Sequence, residues 1–127
     1  MRRGIRHLRL VLEALVALIR YDVVHTLLKR PVLRLPAPSL GSRAQSELER
    51  RICDAVLTAT CFYWKPVLCL QHAVCVARLL RARGVRAHLV IGYRAVPFFS
   101  HAWVEVDGRV VNDSPGYRSQ LQVLHTV

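Results

Sequence analysis

The chain has 127 residues, 53% of them hydrophobic, with a formal charge of +11. This length suits one domain with a modest core, the hydrophobic fraction excludes a disordered chain, and no stretch approaches the roughly 20 consecutive apolar residues of a membrane span. The charge is arginine, Lys29 and Lys65 being the only lysines, and these arginines are scattered without the interleaved aromatics of a base-stacking surface, which argues against nucleic acid as a partner and for an acidic peptide or protein.

Residues 5–29 predict a first helix. Ile5, Leu8, Leu12, Leu15, Ile19 and Val23 recur at spacings of three and four and line one face, and the simplest use of that face is packing on the same domain. The apolar part, 8–19, is broken by Arg9 and Glu13, and no small-residue cleavage site follows it. It therefore reads neither as a span nor as a signal peptide, and the expected location is cytoplasmic. Pro31, Pro36, Pro38 and Gly41 break the pattern. A second helix is expected from 42–44 to Thr60, with Leu48, Ile52 and Val56 inward. After the aromatic turn Cys61-Phe62-Tyr63-Trp64, a third helix should begin near Pro66 or Leu68, since proline suits a first turn, and end at Arg83 with Gly84 as its cap. Strand formers then dominate 86–94, His101 to Val106 alternates, and Arg109 to Asp113 forms a partner strand after Asp107-Gly108. Helices followed by an antiparallel meander make an α+β fold, read as a single domain over 1–127.

Four cysteines stand at 53, 61, 69 and 75, with no Cys-x-x-Cys pair, so neither a zinc ribbon nor a redox dithiol is indicated. Three of them are expected to be small core residues. Cys69 differs because it falls in the first turn of the third helix, where unpaired backbone N–H groups and the helix dipole favour a thiolate and can hold an oxyanion. His101 at a strand start supplies an imidazole, and Asp113 at the end of the next strand a carboxylate. In that order they are the parts of a cysteine nucleophile, its base and its orienting acid. Metal binding by Cys69, His72 and His101 is the weaker reading, with only three ligands and no paired motif; no metal and no cofactor is expected.

The hairpin decides whether His101 and Asp113 can meet as strand neighbours. A two-residue loop sets Val106 opposite Arg109 and puts His101 and Asp113 on opposite faces. A three-residue loop, 106–108, sets Glu105 opposite Arg109 and His101 opposite Asp113, with Cβ atoms about 5 Å apart. The triad favours the three-residue loop.

The stretches CLQHAVCVARLLRARGVRAHLVIGYR and PFFSHAWVEVDGRVVNDSPGYR resemble the transglutaminase-like cysteine protease family of lasso peptide biosynthesis. The resemblance runs from Pro66 to Val123 and includes the Cys69, His101 and Asp113 positions with their flanks. It implies a transglutaminase/papain-like core over 42–127, preceded by an N-terminal helix and Pro-rich connection over 1–41. It also implies a peptidase that removes the leader of a precursor peptide, with Cys69 as nucleophile, His101 as base and Asp113 as orienter. Because residues 1–60 hold no candidate strands, the chain is expected to be the split form, served by a separate leader-recognition protein and acting beside the lasso cyclase. Gln71-His72 departs from the basic-then-small pair more usual in that family, which leaves His72 either lining the cleft or replacing a surface arginine. Acyl transfer to an amine and a non-catalytic peptide-binding subunit are the alternative activities.

Overall fold

The computed structural model describes residues 2–24, 46–106, 108–111, 116 and 120–126. Within these, three helices precede a four-stranded antiparallel sheet: α1 (Arg2–Asp22), α2 (Ser46–Phe62), α3 (Cys69–Ala82), β1 (Ala87–Arg94), β2 (Phe99–Val106), β3 (Arg109–Val110) and β4 (Gln122–Thr126). The α+β expectation holds. The sheet order is β3-β2-β1-β4, so the last strand returns to the far side of β1 and the sheet is more than a meander. A strand at 122–126 is absent from the sequence reading, because five residues near the chain end carry too little alternation to declare themselves.

α3 is the central element. It packs against α1 and α2 on one side and against β1 and β2 on the other. Val74, Val76, Leu80, Val85, Leu89, Val104 and Val106 are buried there in one cluster. The helix closes as its sequence dictates: Gly84 takes φ 79°, the Gly84 N–H donates to the Arg81 carbonyl and the Val85 N–H to the Leu80 carbonyl, a glycine-capped end. The buried Arg81 Nε donates to the Ala87 carbonyl at 2.8 Å, which holds the end of α3 against the start of β1. As the connection is short, the start of α3, the end of β1 and the beginning of β2 all lie at the opposite end of this unit.

α1 corrects the sequence reading. Its core face is Leu10, Val11, Ala14, Ala17 and Leu18, which join the same cluster as α2 and α3. The stripe Ile5, Leu8, Leu12, Ile19 and Val23, with Val16, is exposed among the described residues, Leu12 at 54% and Val16 at 65%; only Leu15 of the expected face is half-buried and packed on the core. The helix is apolar on both sides, and periodicity finds both stripes without saying which one faces inward. α2 behaves as expected, with Ile52 and Val56 buried and Leu48 packed against the core.

The hairpin also overturns its expectation. Val106 pairs with Arg109 and Glu105 with Val110, and the Val111 N–H donates to the Val104 carbonyl at 3.0 Å, all in one register. The loop therefore has two residues, the length whose primed turns match strand twist, and Gly108 supplies the positive φ of 76°. Extended, this register sets position 114 opposite His101, and the paired strand stops at Val110. Asp113 and the Pro-rich segment at 31–42 lie outside the described residues.

Candidate active site

Cys69 is the first residue of α3. Leu68 before it is extended (φ −80°, ψ 165°) and no side chain caps the helix start; the first closing bond there is His72 N–H to the Leu68 carbonyl at 3.0 Å. The N–H groups of the first turn are thus left by their own helix for another acceptor. The Cys69 side is open to solvent. Cys75 is buried and Cys53 half-buried, and burial pushes both thiols up to about 12, as inert core thiols require. Cys61 is exposed, against the expectation that it fills the core. It sits at the end of α2, where carbonyl oxygens rather than N–H groups are unpaired.

A polar cluster from α1, the turn after α2 and α3 closes the same end of the molecule. Asp22, at the end of α1, accepts hydrogen bonds from the Tyr63 hydroxyl and, at 3.2 Å, from Gln71 Nε2, and pairs with Lys65 Nζ at 2.6 Å. Gln71 is buried and donates also to the Leu18 carbonyl at 3.2 Å. Partial burial pushes the Asp22 carboxyl up, but the Lys65, Tyr63 and Gln71 hydrogen bonds outweigh this and hold it below the usual carboxylate range. Burial first, then the bond to Asp22, pushes Tyr63 up to about 12. The cluster adjoins the nucleophile candidate: burial raises the Tyr21 phenol, and the Asp22, Cys75 and Cys69 side chains raise it further. In sequence these residues had no motif, because Asp22 ends α1, Tyr63 and Lys65 lie in the turn after α2, and Gln71 stands in α3.

His101 is the third residue of β2 and pairs with Gly92 of β1. Its ring stacks between Phe99 (centroids 6.0 Å, planes 19° apart) and Trp103 (6.3 Å, 24°). Trp103 is fully buried with Val90 and Leu121, on the face of the sheet opposite Ala102, Val104 and Val106, which point to the helices. Its indole Nε1 donates to Glu105 Oε2 at 2.7 Å. Gly92 makes this stack possible, since a Cβ there would stand 2.6 and 2.8 Å from two Trp103 ring atoms. Trp103 and Gly92 therefore position the imidazole, a role sequence reading missed; the close approach of a backbone to an indole is a tertiary fact, and the only sequence trace is a glycine inside a strand pattern.

The structure thus brings Cys69 and His101 to one end of the α3–β sheet unit, with the imidazole on the sheet face away from the helices. His72 is half-buried and not a simple surface position. No group of three or more His, Cys, Asp or Glu side chains placed to hold a metal occurs among the described residues, and no described helix is long and apolar enough to cross a membrane.

A stretch of 56 residues is 50% identical to the Microcin J25-processing protein McjB of Escherichia coli, covering 44% of this chain and 27% of that protein. The chain accordingly matches about a quarter of that relative's length. No solved structure matches it. The profile of the transglutaminase-like superfamily matches residues 11–126, nearly the whole chain and all of the elements built above except the first turns of α1, and the chain belongs to that superfamily.

Proposed function

We propose that the protein is a cysteine peptidase that cleaves the leader from a lasso precursor peptide. The observation that carries this is the exposed Cys69 at an uncapped helix start in a chain of the transglutaminase-like superfamily; the similarity to a microcin-processing protein supports a peptide substrate. His101, at the end of the sheet where α3 begins but on the face away from the helices, swings round the strand end to take the proton of the Cys69 thiol, and sulfur attacks the carbonyl at the leader–core junction. First-turn N–H groups of α3 hold the oxyanion. The C–N bond breaks, His101 returns the proton to the leaving amine, and water hydrolyses the thioester to a free carboxylate and the thiol. Asp113 orients the imidazole. Its route to His101 does not require strand pairing: it belongs to the connection from β3 to β4, which lie at opposite edges of the sheet, and Leu121 at the far end of that connection is buried against Trp103 on the His101 face. A separate leader-recognition protein presents the substrate, and the lasso cyclase uses the product.

Mass spectrometry of a precursor peptide incubated with the protein and its recognition partner tests the reading. Cys69→Ala abolishes cleavage, Asp113→Asn reduces it, and Cys61→Ala and Cys75→Ala retain it. Cleavage surviving in Cys69→Ala ends the proposal. Acyl transfer uses the same thioester, and adding a primary amine separates the two by product mass.

A further inference from the structure

The arginines that look scattered in sequence gather at the end of the helical layer remote from Cys69. A cavity of about 540 Å³ is lined there by Arg6, Arg9, Arg50, Arg51 and Arg83 with Glu13 and Glu47, over a floor of Leu10 and Leu48. Its size is that of a ligand site. Five arginines face two glutamates, and both glutamates are engaged: Glu13 with Arg83 and Arg9, Glu47 with Arg51. Arg6 and Arg50 have no ion pair among the described residues. α1 and α2 both begin at this end, so their positive dipole ends add to the field.

The exposed stripe of α1 adjoins this cavity. At about 100° per residue, Arg9 falls between Leu12 and Val16 on one side and the cavity wall at Leu10 and Glu13 on the other. Aliphatic surface therefore runs along the helix with cations along one flank only. A second copy is a poor occupant, since it would bring two chains of charge +11 together. A lipid surface is also poor: the guanidinium groups line a recess between α1, α2 and the cap of α3, which a side chain enters and a plane of headgroups does not. We propose that the cavity and the stripe form one docking site for an acidic amphipathic peptide segment, its apolar residues on Leu8, Leu12 and Val16 and its carboxylates reaching Arg6 and Arg50. This site stands whether or not the chain is a peptidase.

The test is fluorescence anisotropy of the full chain with a labelled synthetic helix bearing leucines along one face and glutamates along one flank. The same helix with every Glu replaced by Gln is the control. Binding of the Glu peptide, weakened roughly tenfold or more by Arg6→Gln with Arg50→Gln, by Leu12→Ser with Val16→Ser, and in the Gln control, supports the site; tenfold corresponds to two partly screened charge pairs. Both variants alter exposed residues, and an unchanged melting curve shows that the fold is kept. Cys69→Ala binds as the parent does, which separates this site from the catalytic reading. Equal binding of the Gln control, or of the arginine variant, overturns the proposal. So does association with vesicles of anionic lipid in the absence of peptide binding, or a concentration-dependent dimer dispersed by Leu12→Ser with Val16→Ser.

Discussion

At the scale of single residues, the stack on β2 is the most exposed to test. Gly92→Ala drives a methyl group into the Trp103 ring, because the nearest ring carbon stands at 2.6 Å. Trp103 is fully buried and has no room to retreat, so we expect a loss of about 1–3 kcal/mol in urea unfolding and lower cleavage from a displaced His101; wild-type values of both would remove Gly92 from its positioning role. The Asp22 cluster gives stability a pH signature. With a folded pKa below its unfolded value, Asp22 contributes stability that is present above the usual carboxylate range and lost as pH falls through the folded pKa. Tyr63, raised to about 12, contributes stability present below its ordinary pKa of 10 and lost as pH rises towards 12. Urea midpoints against pH should therefore fall at both ends, and Asp22→Asn should flatten both limbs. An unchanged alkaline limb in that variant would contradict the Tyr63–Asp22 bond. Native-state alkylation should modify Cys61 and Cys69 and spare Cys75, as read by peptide mapping.

At the scale of elements, α1 shows what an amphipathic pattern does and does not say. Leu12 and Leu18 look alike in sequence, yet Leu18 is fully buried and Leu12 is 54% exposed. Leu18→Ala should cost about 2–5 kcal/mol through the cavity it leaves. Leu12→Ala should stay within about 0.5 kcal/mol, a ranking that thermal or urea denaturation checks directly and that reverses the face read from periodicity. α3 was legible because its signals are local: a proline shortly before Cys69, apolar residues at helical spacing, and a glycine at the end. The hairpin was half legible. Asp107-Gly108 announces a turn, but loop length depends on how the flanking strands pair, and Val106 opposite Arg109 with Val111 N–H bonded to the Val104 carbonyl leaves two residues in the loop.

At the scale of the whole molecule, the helices and the sheet share one core, with Leu18 of α1, Ile52 of α2, Leu80 of α3 and Val104 of β2 in the same cluster. Removing residues 1–24 uncovers that cluster, and the truncated chain should lose its cooperative melt in circular dichroism; a sharp transition would show α1 to be an appendage. The shared core also divides the molecule into two ends about 20 Å apart, the length of a 14-residue helix, with the thiol and the Asp22 cluster at one and the arginine recess at the other.

By itself the sequence determined the fold class, the order and most bounds of the elements, and the place of Cys69 at a helix start, because each rests on interactions within a few residues: helical spacing, a glycine cap, a proline-marked turn. Only the tertiary structure decided which stripe of α1 is buried, the two-residue length of the hairpin loop, the late strand β4, the Gly92–Trp103 contact, and the gathering of Arg6, Arg9, Arg50 and Arg83 around one recess. Those depend on which faces meet across long chain separations, where packing selects among arrangements that local propensity leaves nearly equal in energy.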